Sequence, residues 1–162
     1  MISTKVAERR INHDVGRTGR IYKMAPKGSS WACRCSGCRN FDQIRPNGYP
    51  IEFKLLLKSL GINPKKEAHL KYIVPAGEGE ALYAGTYGFI GEMPEAKELP
   101  PVIAGQDVFE PLGGRVWVSI RPWREPPGVW YGKPTLRLEF LMVLPWLLDE
   151  EQLEVREMRC AG

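Results

Sequence analysis

The chain lacks any apolar run long enough to cross a bilayer. Its longest, Phe140 to Leu148, has nine residues with Pro145 inside it, and a spanning helix needs about 20. It holds only two histidines, His13 and His69, too few for a histidine-based metal centre. No glycine-rich loop has phosphate-cradling spacing: Gly77-Glu-Gly79 and Gly85-Thr-Tyr-Gly88 match neither a P-loop nor a dinucleotide fingerprint. There is no Gly-x-Ser-x-Gly elbow, no internal repeat and no low-complexity tract. The pairs Glu92/Glu95 and Glu150/Glu151 read as surface charge. Residues 1–10 contain no apolar core of signal-peptide length, which predicts a cytoplasmic location. Without a catalytic constellation, the expectation leans away from an enzyme.

What is present is ordinary globular composition. The 162 residues are 43% hydrophobic and 26% charged, which excludes a disordered chain and a fibrous repeat. The length suits one domain over residues 1–162, with 1–30 as a basic segment at its periphery. The net charge of +4 is uneven. Residues 1–40 carry nine Lys/Arg against Glu8 and Asp14, and residues 41–162 carry fourteen against seventeen acids. A basic end on a slightly acidic body suits a polyanion. Arg9, Arg10, Arg34 and Arg39 are therefore the candidate nucleic-acid contacts. A solvated surface is the competing reading, because no RNA or DNA motif surrounds them.

The 17 glycines and 14 prolines predict many turns and few long helices. One helix is expected over Pro50–Leu60, with Pro50 at its start and Ile51, Leu55 and Ser59/Leu60 on one face, widened by Leu56 and Leu57. Gly61 should cap it in the left-handed conformation, with Ile62 folding back in a Schellman arrangement. Strands are expected over residues 20–25, 68–74, 81–91, 115–121 and 135–144, and a terminal helix over 149–159. The strand at 81–91 puts Tyr83, Gly85, Tyr87 and Phe89 on one face, and glycines there mark bulges or close backbone approach. The fold class is α+β: a single domain with a mainly antiparallel sheet of about five strands and one principal helix. Leu55, Leu56, Ile73, Phe89, Val116, Val118, Leu138 and Phe140 form its expected core. Trp123, Trp130 and Tyr131 lie in a proline-rich loop, as a partner-binding patch, as a stacking platform for bases, or as pins holding the loop to the core.

The dense chemistry is Trp31-Ala-Cys33-Arg-Cys35-Ser-Gly-Cys38-Arg-Asn-Phe41. Cys35 and Cys38 have the C-x-x-C spacing that lets two sulfurs share one metal ion, with Gly37 permitting a tight turn, and Cys33 adds a third thiolate. A structural zinc site wants four ligands. The candidates for the fourth are Cys160, His13 and His69, or a carboxylate or water. Metal binding, ordinary thiols and redox chemistry all remain open on this spacing. The run Trp31-Ala32 before Cys35-x-x-Cys38 echoes the thioredoxin site, but no apolar strand precedes it, so that fold is excluded. A bare dithiol or a cysteine nucleophile, helped by Arg34 and Arg39, stays as the enzymatic alternative.

Cys35-x-x-Cys38-Arg-Asn-Phe41, Leu60-Gly-Ile62, Leu82-Tyr-x-Gly85-x-Tyr87-x-Phe89-x-Gly91, Leu138-Glu-Phe140 and Leu144-Pro-Trp146-x-Leu148 together resemble a group of small bacterial proteins of unknown function. The likeness covers about residues 31–148. It implies a bacterial, cytosolic, stand-alone domain in which the cysteine segment and the Leu-Pro-Trp segment belong to one fold. It carries over no catalytic residue. The expected function is a binding protein for an unknown protein partner, with a cysteine-rich loop held by zinc; nucleic-acid binding and thiol chemistry are the alternatives.

Overall fold

The computed structural model describes residues 1–6, 9–94 and 109–152. Its sheet is antiparallel throughout and has seven strands: β1 (Ile2–Val6), β2 (Arg9–His13), β3 (His69–Gly77), β4 (Glu80–Glu92), β5 (Glu110–Gly113), β6 (Val116–Pro122) and β7 (Thr135–Pro145). The order is β1-β2-β4-β7-β6-β5, with β3 also beside β4. Four helices lie among the described residues: α1 (Val15–Met24), α2 (Ser29–Cys33), α3 (Ser36–Ile44) and α4 (Ile51–Leu60). The α+β class holds, but the sheet exceeds five strands and α4 is not the one principal helix.

Strands β4 and β7 are the frame. They pair from Glu80↔Pro145 to Ile90↔Thr135, and the inward rows Ala81, Tyr83, Tyr87, Phe89 and Leu136, Leu138, Phe140, Met142, Leu144 are buried. The period of two sends every second side chain inward. Gly85 sits opposite Phe140, and a Cβ on Gly85 would stand 2.3 Å from the Phe140 ring. The glycine marks a close approach, as expected. Helices α3 and α4 supply Phe41 and Phe53 to the same core. Ring centroids lie 5.2 Å apart for Phe41–Tyr83 and for Phe53–Phe140.

Helix α4 ends as expected. Gly61 has φ of 74°, its N–H donates to the Lys58 carbonyl, and the Ile62 N–H donates to the Leu57 carbonyl at 2.9 Å, the Schellman pattern. The buried face is the expected one only in part. Leu56, Leu57 and Leu60 face inward as expected and Phe53 joins them, while Ile51 and Leu55 are each 59% exposed. The bulky Phe53 sets the rotation, because its ring fills the space above Phe140. Ile73 is likewise only half-buried; the other six expected core residues are buried.

The described residues of the segment 1–30 are built into the fold rather than peripheral to it. Val6, Ile11, Ile21 and Tyr22 join the core. The segment 20–25, expected as a strand, is helical to Met24 as the end of α1, which Asp14 caps by accepting from the Arg17 N–H at 2.8 Å. One edge of β4 explains why. β3 pairs with its first half and β2 with Gly91 and Glu92, and α1 serves the stretch between. Tyr22 Oη donates to the Gly88 carbonyl at 2.7 Å. Thr18 Oγ1 accepts from the Ile90 N–H at 2.9 Å while donating to the Asp14 carbonyl, and the Asp14 N–H donates to the Ile90 carbonyl. Buried backbone groups need partners, and here a helix provides them.

The proline-rich loop is pinned by one tryptophan. Trp130 is buried edge-on to Tyr22, with centroids 5.2 Å apart. Trp123 is half-buried near the exposed His69 ring, and Tyr131 is exposed. The expected helix over 149–159 does not start in residues 149–152; the rest lies outside the described residues. No helix among the described residues is long and apolar enough to cross a membrane.

Candidate metal centre

The three clustered cysteines meet in space. Their sulfurs all lie within 4.8 Å of one another. Tetrahedral ligands on a Zn–S bond of about 2.3 Å stand roughly 3.8 Å apart, so a small contraction would bring all three onto one ion. Cys38 is buried, and Cys33 and Cys35 are half-buried.

Local structure brings them together. Cys33 is the last residue of α2, Cys35 caps the N-terminus of α3, and Cys38 sits in the first turn of α3. The Cys38 N–H donates to Cys35 Sγ at 3.4 Å, so a sulfur takes the place of a capping oxygen. Between the two helices Arg34 has φ of 58°, the left-handed region, which costs a non-glycine residue roughly 1 kcal/mol. Arg34 is the sole non-glycine residue with positive φ among the described residues. The tight turn falls on Arg34; Gly37 lies within α3, and its carbonyl accepts from Tyr83 Oη at 2.7 Å.

Side chains from the segment before β3, from β4 and from α3 itself hold this helical arm. Buried Glu67 accepts from both the Ser30 N–H and Ser30 Oγ, at 2.8 and 2.7 Å, and pairs with the Arg45 guanidinium. That fixes α2 from its start and α3 from its end. Lys66 Nζ donates to the carbonyls of Tyr22 and Ala25 at 2.7 Å each, and so ties the end of α1 as the chain enters the arm. Asn40, buried in α3, donates to the Pro145 carbonyl at 3.0 Å and to Tyr83 Oη at 3.1 Å, and accepts from the Leu147 N–H at 2.7 Å. The cysteine segment and the Leu-Pro-Trp segment thus meet through one amide. Arg39 extends the contact with an ion pair to Glu150 at 2.6 Å. Burial pushes the Tyr83 hydroxyl well up from its ordinary value of 10.0, so it stays a neutral donor.

The structure does not bring the candidate histidines here. Among the described residues no histidine or carboxylate joins the three sulfurs. His13 is buried on β2, its Nε2 2.9 Å from Thr4 Oγ1. His69 is exposed on β3. Cys160 lies outside the described residues. Of the basic candidates, Arg34 and Arg39 flank the thiols, while Arg9 and Arg10 lie on β2. Sequence reasoning missed Asn40, Glu67 and Arg45 as supports of the arm. A buried acid and a buried arginine leave no local pattern; only Asn40, inside the motif that carries the resemblance, had a signal.

No protein-family model, curated protein or solved structure matches the chain.

Proposed function

We propose that Cys33, Cys35 and Cys38 hold a zinc ion, and that the ion closes the helical arm of a non-catalytic binding protein. The observation that carries this is the convergence of three sulfurs within 4.8 Å. Helices of five and nine residues are too short to persist alone, and the arm's turn keeps Arg34 in a costly conformation. A metal bridging residues on both sides of that turn would offset the cost. Sulfurs this close suit a single shared ion better than an iron–sulfur cluster, whose thiolates sit on different irons. Zinc takes thiolates in a tetrahedral set of four. Cys160, outside the described residues, or a carboxylate or water is the candidate for the fourth place.

The test is elemental analysis of untagged protein with thermal melts. One zinc per chain is expected, lost in the double variant Cys35→Ser/Cys38→Ser together with a fall in Tm. Cobalt(II) substitution should show thiolate charge-transfer bands, which weaken in Cys160→Ser if Cys160 is the fourth ligand. Metal-replete protein whose Tm ignores the double variant would overturn the proposal.

A further inference from the structure

The arm that carries the thiols also carries an exposed aromatic ring between cations. Trp31 is 45% exposed. Lys27 Nζ lies 4.1 Å from its ring centroid and the Arg34 guanidinium carbon 5.9 Å. The nearby acids are committed elsewhere: Glu150 to Arg39, Asp42 to Arg45, and Glu67, buried, to Arg45 and Ser30. The patch is therefore a ring with two cations at its face and, among the described residues, no carboxylate paired with either cation. Arg34 makes the arrangement more pointed. A glycine would adopt φ of 58° without strain; what an arginine adds at that position is its guanidinium beside Trp31.

We infer that Trp31, Lys27 and Arg34 form a binding surface for single-stranded nucleic acid, with a base stacking on the indole and the two cations meeting the flanking phosphates. The chemistry asks for both parts at once. A bare polyanion has no use for the ring, and an apolar partner has no use for two cations on it. Base–aromatic stacking is tolerant of sequence and worth a measurable share of affinity, and Arg adds to it through its own planar face. The first 40 residues hold nine of the 23 Lys/Arg against two acids, so the chain concentrates positive charge on the end that bears the ring. The inference rests on the zinc reading in one respect: the ion would fix the turn at Arg34 and so the distance between guanidinium and indole.

The experiment is fluorescence anisotropy of the full chain with labelled single-stranded DNA and RNA of about 12 nucleotides, a length within the usual single-strand site sizes. Competitors are polyphosphate and poly-glutamate, and zinc is measured in the same samples. Binding is expected to weaken with salt, with a log–log slope of about −1.4 from two neutralised phosphates. Trp31→Ala should weaken oligonucleotide binding by about 5- to 100-fold and leave polyphosphate competition unchanged; Trp31→Phe should restore most of it. Arg34→Gly, which relaxes the backbone and so keeps the fold, should lower the slope by about 0.7. Absence of oligonucleotide binding at low salt overturns the inference. So does competition by poly-glutamate as strong as by oligonucleotide with no effect of Trp31→Ala, which would mark an acidic protein partner instead. Zinc-free protein that still binds through Trp31 overturns the metal reading and upholds this one. Zinc-loaded protein that does not bind does the reverse.

Discussion

His13 shows how much a single buried ring can expose about a fold. Its side chain is buried on β2, with Nε2 on Thr4 and Nδ1 lacking a hydrogen-bond partner among the described residues. Desolvation lowers its pKa from 6.5, against the opposing pull of Asp14. The folded chain therefore takes up a proton less readily than the unfolded chain. Stability is full above about pH 6.5 and falls as the pH drops through that value toward the lower folded pKa. Urea midpoints measured from pH 7.5 to 5 should decline in the wild type and decline less in His13→Gln. An equal slope in both would place the pH dependence elsewhere. Arg34 makes the opposite kind of test. Replacing it with glycine removes a left-handed penalty of roughly 1 kcal/mol, so metal-stripped Arg34→Gly should melt higher than metal-stripped wild type.

The elements separate into those the sequence declares and those the fold imposes. Helix α4 declares itself: a starting proline, a run of leucines and a glycine stop need no distant help. Its boundaries match within a residue, but its phase matches only at Leu56, Leu57 and Leu60. Ile51 and Leu55 looked inward because the spacing rule treats all apolar residues alike, whereas the core selected Phe53. The phase is measurable. Leu57→Ala should cost about 2–5 kcal/mol, while Leu55→Lys should stay within about 0.5 kcal/mol, both read from denaturant midpoints. Strands β4 and β7 were legible for a similar reason, since long alternation is self-sufficient evidence of a pleat. Helices α1, α2 and α3 were not. They are short, α1 contains two glycines, and their stability comes from partners far along the chain: Ile90 for Thr18, Glu67 for Ser30, Pro145 and Leu147 for Asn40. The apolar positions 38, 41 and 44 do recur at helical spacing, but only when Cys38 counts as a core residue. For the site, the thiol cluster was legible from spacing alone, and its support was not.

At the scale of the whole molecule, Tyr22, Tyr49, Tyr83 and Tyr87, four of the five buried tyrosines among the described residues, share one property. Tyr87 donates to the Pro64 carbonyl, so Tyr49 must donate to Tyr87. Tyr22 and Tyr83 donate to the carbonyls of Gly88 and Gly37. Burial raises all four above the ordinary value of 10.0. Each favours the fold below that value and ceases to as the pH climbs past it, because the unfolded chain ionises first. Cooperative alkaline unfolding should set in above about pH 10, with ultraviolet phenolate absorbance rising together with loss of ellipticity. The shared edge of β4 has a further consequence. A strand with an open flank in mid-sheet is a template on which another polypeptide can polymerise. Here two hydroxyls of α1 and the amide of its cap Asp14 occupy that flank, so the helix acts as a stopper against self-propagating assembly. Thr18→Ala leaves a buried N–H without its acceptor, a cost of about 1–3 kcal/mol, and Tyr22→Phe strips the neighbouring carbonyl. Warmed together in one chain, these changes should do more than lower a melting point: they should turn a protein that unfolds into one that seeds fibres.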